Sequence, residues 1–372
     1  MLRGREYRGI LAIGCWLGLG LPAGGAAEHA ASGGVQAGTI ELTREQVLDH
    51  IRGGWTGMLI GGIEGLVHEF KYIKEPRATL PEYRFLPEGA RSDDDNDFEW
   101  THLWYIEREG TLKIGYPRVV EIWKANMNRG LWAANRQARK LMDEGLVPPE
   151  TANPARNSFA PYNLSGQFCV EAYGMIAPGM PQTAADLGVH YAGIAVSGEP
   201  LQATRYWTTL INLAAVRNEP LEELLREAVR AVDPASAQAE AVQAAIQAFH
   251  DHPGDWKAAR QIFHEKWYVP KEQPWNPGAS PRKWNDNSTP LNGAMVLLAL
   301  LYAQGDFYKT GQYAMALGYD ADCNAATACA VVGARTGFAA IQKLPEFDMP
   351  DRYVTTPARS FRKRPKCPSR RS

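Results

Sequence analysis

Residues 51–65 read IRGGWTGMLIGGIEG, and residues 320–337 read DADCNAATACAVVGARTG. In the first stretch Gly53, Gly57, Gly61 and Gly65 recur every fourth residue, so on a helix they line one face. Glycine inside a helix costs about 1 kcal/mol relative to alanine, a choice that makes sense where another backbone lies against that face. The second stretch, almost wholly Ala, Val, Cys, Gly and Thr from Ala325 to Gly337, is a small-residue helix of the matching kind. Tight helix packing is the plain reading of most of these glycines, and helices of this kind predict an all-α protein.

Working outward, Thr43 and Gln46 form a capping box ahead of Val47, Leu48, Ile51, Trp55, Met58 and Leu59 at helical spacing. Helical periodicity also predicts helices at 97–106, 183–196, 201–216, 221–232, 235–249, 255–267, 292–302 and 324–341. Alternating strand patterns are scarce. Proline-rich joins fall at Pro148-Pro149 and from Pro270 to Pro290. No fixed-period repeat is present, which argues against a solenoid. A single compact multi-helix domain over residues 40–345 is the economical reading.

The chain has 372 residues, 45% hydrophobic and 22% charged, with a formal net charge of −1. These values exclude disorder and a disulfide scaffold and give no reason to expect a nucleic-acid partner. Three arginines and Glu6 fall in the first 27 residues and seven cations follow Ala358, leaving a body with 30 cations and 40 anions. The body is therefore acidic, and residues 346–372 are expected as a basic, disordered tail.

Residues 1–27 carry the three parts of a secretory signal: Arg3, Arg5 and Arg8, an apolar run from Ile10 to Leu21, and small residues ending at Ala27. Cleavage after Ala27 is expected, then a flexible lead-in over 28–39, in an exported protein that is periplasmic or secreted. Reading Cys15 as a lipoprotein cysteine is the lesser alternative, because Ala12-Ile13-Gly14 lacks the usual leucine three positions upstream. The apolar run is too short for a transmembrane segment. The remaining cysteines, Cys169, Cys323, Cys329 and Cys367, show no paired zinc spacing.

Two acidic clusters stand out. Asp93-Asp94-Asp95-Asn96-Asp97 precedes the predicted helix with Phe98 and Trp100, and Asp320-Ala321-Asp322-Cys323-Asn324 precedes the small-residue helix. One aspartate suffices to cap a helix. Consecutive carboxylates beside aromatic residues repel one another, and desolvation worsens that repulsion, so a compensating cation is a competing explanation. Oxygen ligands favour Mg²⁺, Mn²⁺ or Ca²⁺. Spacing leaves capping and a shared metal site both open.

Taken in order, these stretches resemble the ADP-ribosylglycohydrolase family. The ladder from Gly53 to Gly65 followed by Glu69-Phe70 is similar to the family's first helix and its Glu-Phe pair. Asp93-Asp94-Asp95-Asn96 is similar to its Thr-Asp-Asp-Thr motif, and Gly318-Tyr319-Asp320-Ala321-Asp322-Cys323-Asn324 to its late Gly-x-Asp-Thr-Asp motif. Ala177-Pro178-Gly179 and Gly305-Asp306-Phe307 fall between them in the order expected of the branch that writes Cys-Asn after the second aspartate.

The resemblance implies an all-α, compact orthogonal multi-helix domain. It also implies two Mg²⁺ ions, with Mn²⁺ as the substitute, held by Asp93, Asp94, Asp95, Asp320, Asp322 and Cys323. Glu69 then matches the family glutamate near the reacting centre. The implied activity is hydrolysis of an N- or O-glycosidic bond in a small-molecule or protein-linked ADP-ribosyl or related ribosyl substrate. This chain departs from the pattern at Gly62, where the family has Asp, at Asp93 and Asn96 for two threonines, and at Ala321 and Cys323 for two more. Those departures motivate the alternative of a non-catalytic metal- or sugar-binding protein on the same scaffold. A further possibility is that Trp275 and Trp284 in the proline-rich segment form a carbohydrate-stacking surface.

Overall fold

The computed structural model describes residues 5–8, 40–91, 93–270 and 283–355. Apart from Arg5–Arg8, the signal and lead-in expected over 1–39 lie outside these residues, as do Cys15, Trp275, Cys367 and the tail beyond Thr355.

Fourteen α-helices form among the described residues. The first four are α1 (Arg44–Gly65), α2 (Asp94–Glu109), α3 (Tyr116–Asn126) and α4 (Ala133–Asp143). They are followed by α5 (Glu171–Ile176), α6 (Pro181–Ala192), α7 (Glu199–Val216), α8 (Leu221–Ala228), α9 (Ala237–Asp251) and α10 (Trp256–Trp267). The last four are α11 (Thr289–Ala303), α12 (Phe307–Leu317), α13 (Ala321–Thr336) and α14 (Phe338–Ile341). The expected capping box is present, with Gln46 N donating to Thr43 Oγ1 over 3.2 Å and Thr43 N to Gln46 Oε1 over 2.8 Å.

The central pair is α1 against α13, running antiparallel. A Cβ at Gly53, Gly57 or Gly61 would overlap the backbone carbonyls of Gly333, Cys329 and Ala325 respectively, and one at Gly65 would overlap the Asp322 backbone. The glycine period is thus the footprint of one helix on another, and its last rung lies against Asp322. Around this pair α7 and α11 bury most of their side chains, with Tyr206, Trp207, Leu210, Leu297 and Leu298 fully enclosed. Helix α11 is buried along nearly its whole length and mostly apolar, as expected of a helix with neighbours all round.

Four findings revise the sequence expectations. The helix expected over 324–341 begins at Ala321 and stops at Thr336, because Gly337 adopts φ +80° and starts α14 afresh. The helix expected from Asp97 begins at Asp94, so Asp94 and Asp95 lie in its first turn and not ahead of it. Trp284 is buried, pairing its backbone with Trp267 and Val269, and is a core residue with no stacking surface to offer.

The fourth revision concerns residues 346–355, which remain part of the fold although the basic run after Ala358 suggested a tail. Phe85 N donates to Glu346 O over 2.9 Å. Strand β3 (Arg352–Thr355) pairs in parallel with β2 (Ala90–Arg91), and its other edge pairs antiparallel with β1 (Arg5–Arg8). Among the described residues no helix is long and apolar enough to cross a membrane.

Candidate metal centre

The end of α1, the start of α2 and the start of α13 converge. After Gly65 the chain makes a turn in which His68 N bonds Gly65 O over 2.7 Å, bringing Glu69 round to face α13. Phe70 N then donates to Tyr319 O over 2.8 Å, which ties the Glu69 turn to the residue before Asp320. Asp320 is the N-cap of α13 and Asp322 lies in its first turn. Asp95, in the first turn of α2, meets Cys323, whose Sγ donates to Asp95 Oδ1 over 3.0 Å.

Two groups of ligand-type atoms result, each with its members within 4.8 Å of one another: Asp95, Asp322 and Cys323, and Glu69, Asp320 and Asp322. Asp322 belongs to both, so the two groups adjoin through one carboxylate. Asp95 and Asp322 are each 3% exposed, while Glu69 is exposed. Asp95 Oδ2 and Asp322 Oδ1 are buried oxygens with no hydrogen-bond donor on them. A buried carboxylate oxygen without a donor is costly, and a divalent cation is the kind of group that removes the cost. The residues present therefore fit a metal.

The electrostatics agree. Burial, then the charges of Asp93 and Asp94, push the Asp95 carboxyl well above the usual carboxylate range. Burial, then Asp320 and Asp95, do the same to Asp322, and burial with the surrounding aspartates raises the Cys323 thiol. A cluster strained towards holding protons is one that a cation can relieve.

Of the seven residues singled out by sequence, Glu69, Asp95, Asp320, Asp322 and Cys323 come together in the two groups. Asp93 and Asp94 belong to neither. Asp93 is the N-cap of α2, its backbone N donating to Asn96 Oδ1 over 3.4 Å, and both aspartates act on Asp95 through their charge. Asn96, at the end of the early motif, is occupied by Arg91 O and by the Tyr353 hydroxyl. A Cβ at Gly62 would come within 3.2 Å of Asp95 Oδ2, so an aspartate there would crowd the same group.

Several residues that sequence reading passes over hold this centre in place. Asn292 Oδ1 accepts from Asp320 N over 3.2 Å and from Asn324 Nδ2 over 2.9 Å, and Gln167 Nε2 donates to Asn324 Oδ1 over 3.0 Å. Arg260 is fully buried and donates to the carbonyls of Leu317, Lys74, Tyr72 and Ile73, with its guanidinium 4.6 Å from the Tyr319 ring centre. One helical turn beyond Asp95, Glu99 forms a buried carboxyl pair with Glu171 at the start of α5. Thr327 Oγ1 donates to Glu171 Oε1 over 2.6 Å and Ala172 N to Glu99 Oε1 over 2.8 Å. No local pattern marks these positions, since their partners lie far away in the chain.

An all-α scaffold with adjoining acidic groups at the starts of two helices defines the class of protein. The ADP-ribosylglycohydrolase family model matches residues 43–349, and the chain belongs to that family. It is an enzyme of the glycosidase type, a hydrolase. A solved structure titled "ADP-ribosylglycohydrolase-related protein complex" superposes with a TM-score of 0.50 at 21% identity, covering 80% of this chain and 90% of that one. At that identity the likeness shows the all-α fold. No curated protein matches the chain in sequence.

Proposed function

We propose that the protein is a divalent-metal-dependent hydrolase that cleaves an N- or O-glycosidic bond at the anomeric carbon of a ribosyl group, with ADP-ribosyl compounds as the first substrates to try. The observation that carries this reading is that Asp322 belongs to both acidic groups, a donor arrangement that would suit two neighbouring cations. Asp95, Asp322 and Cys323 would hold one ion and Glu69, Asp320 and Asp322 the other. A bound dication supplies a Lewis acid that fixes vicinal hydroxyls and lowers the pKa of water. Mg²⁺ is the first candidate and Mn²⁺ the second.

Within that arrangement Asp95 and Asp322 are too enclosed to exchange protons with a substrate. Glu69 is the one carboxylate of the two groups that solvent reaches, and it stands on a turn. It is the residue suited to carry a proton to or from the glycosidic oxygen, nitrogen or water as the sugar develops oxocarbenium character. The leading signal and the exported location remain part of the proposal, resting on Arg3, Arg5, Arg8 and the apolar run.

The test is release of free sugar from ADP-ribosylated protein and from simpler ribosides, with and without Mg²⁺. Turnover that needs metal and is suppressed in both Glu69→Gln and Asp322→Asn is the expected result. Metal binding without turnover on any riboside would support the non-catalytic binding protein instead.

A further inference from the structure

We propose that Cys323 is a thiolate ligand and that it makes one of the two metal positions selective for a thiophilic dication of the Co²⁺, Fe²⁺ or Zn²⁺ class over Mg²⁺. The inference rests on the metal reading of the site above and deepens it.

The two acidic groups differ in their donor atoms. Glu69, Asp320 and Asp322 offer oxygen alone, which suits a hard ion. The group on the other side of Asp322 offers two oxygens and the Cys323 sulfur, all within 4.8 Å of one another. Sulfur is a soft donor, and a site that includes thiolate favours Zn²⁺, Co²⁺ and Fe²⁺ over Mg²⁺.

Cys323 is placed as a ligand would be. It lies in the first turn of α13, one residue after Asp322, and is a free thiol with 5% exposure. Its sulfur points at Asp95 Oδ1, while the second oxygen of Asp95 and Asp322 Oδ1 remain buried without donors. Those two oxygens are the independent sign that something cationic belongs beside the sulfur. Cys329, about two turns later on the same helix, instead sets its sulfur against Gly311 beside Tyr83 and belongs to neither acidic group. A dication held there would take the sulfur as thiolate: the S–H bond would break and its proton would pass to solvent as the metal–sulfur bond formed.

The experiment loads chelator-treated, full-length protein with Co²⁺ and records its absorption. The expected result is a near-ultraviolet sulfur-to-cobalt charge-transfer band that disappears in Cys323→Ser and Cys323→Thr and persists in Cys329→Ser. Calorimetry on the same proteins should show the ratio of Co²⁺ to Mg²⁺ affinity falling on the order of tenfold or more on removal of the thiol. Co²⁺ that binds with visible d–d bands but no sulfur band overturns the thiolate proposal while leaving the metal centre standing. So does a band that survives in both Cys323 variants. No binding of either ion to the parent protein overturns this inference and the metal-dependent function together. Far-ultraviolet circular dichroism separates a misfolded serine variant from an informative one, with the threonine variant as the second chance.

Discussion

Phe70 donates its backbone amide to the carbonyl of Tyr319 over 2.8 Å, so the turn that carries Glu69 and the turn that carries Asp320 are one fastened unit. Both residues sit at positive φ, 51° for Phe70 and 59° for Tyr319, a conformation that larger side chains adopt only where the surroundings enforce it. Arg260 braces the segments on either side. Its guanidinium closes four carbonyl hydrogen bonds across residues 72–74 and 317, and no carboxylate competes for it among those contacts.

Arg260→Ala should therefore cost about 3 kcal/mol of stability, the scale for losing charged hydrogen bonds in a buried setting. Arg260→Lys should recover only part of it, since one ammonium cannot span the same carbonyls. Urea unfolding measures the first effect. Calorimetric titration of the divalent ion measures a second, a weaker affinity in Arg260→Lys as Glu69 and Asp320 lose their alignment. Unchanged affinity in a folded Arg260→Lys would show that the clamp does not matter to the centre.

A second prediction sets two neighbouring glycines against each other. Helix propensity alone favours alanine by about 1 kcal/mol at either Gly61 or Gly62. At Gly61 the added methyl would overlap the Ala325 carbonyl, and overpacking of this kind costs about 1–3 kcal/mol or more. At Gly62 the nearest atoms are Asp95 Oδ2 at 3.2 Å and the Ala326 Cβ at 3.6 Å, which a small side-chain shift accommodates. Gly61→Ala should be clearly destabilising and Gly62→Ala close to neutral. Equal thermal midpoints for the two variants would contradict the close α1–α13 contact.

These contrasts show what sequence could and could not reveal. The ladder on α1 and the small-residue run of α13 are each legible as a helix that packs closely, but that the two pack on each other is shown only by the fold. Glu69, Asp95, Asp320 and Asp322 are legible because each stands in a local motif. By contrast, α5 has six residues, too few for a period to register, and α3 buries only Val119, Ile122 and Trp123 along its length. Arg260 sits in α10 as an ordinary arginine, and nothing near it in the chain hints at carbonyls some 186 residues away. Glu99 and Glu171 each read as a surface charge until the fold presses them together.

That buried pair predicts a pH dependence. Both side chains titrate around 4.5 when unperturbed. In the fold, burial and then the nearby Glu171 charge raise Glu99 well above this, and burial raises Glu171 to about 7 against the pull of Thr327 and backbone donors. The native state therefore keeps protons that the unfolded chain has released. The Glu171 share of this stability is fully present below about pH 4.5 and is lost as pH rises through about 7, and the Glu99 share is lost in the same direction. Glu99→Gln keeps a donor for Glu171 while removing one titrating group, so unfolding free energy should fall less steeply with rising pH in the variant. Parallel slopes in parent and variant would place the proton elsewhere.

The last prediction concerns how β3 supports the early acidic motif. Tyr353 stacks on Trp100 at 5.8 Å between ring centres, and its hydroxyl donates to Asn96 Oδ1 over 2.7 Å with Asp97 Oδ1 at 3.2 Å. Asn96 in turn holds the Asp93 amide and the Arg91 carbonyl, so the strand pins the turn from which Asp95 projects. Tyr353→Phe keeps the ring contact and removes only the hydroxyl, withdrawing the one donor that Asn96 Oδ1 and Asp97 Oδ1 share, at a cost of about 1–3 kcal/mol. Ending the chain after Met349 removes ring, hydroxyl and the parallel pairing with Ala90 and Arg91 together. Divalent-ion affinity should decline in the order parent, Tyr353→Phe, truncation, with the stability loss following the same order. A truncated protein that binds metal as tightly as the parent would show that the first turn of α2 holds Asp95 in place without β3.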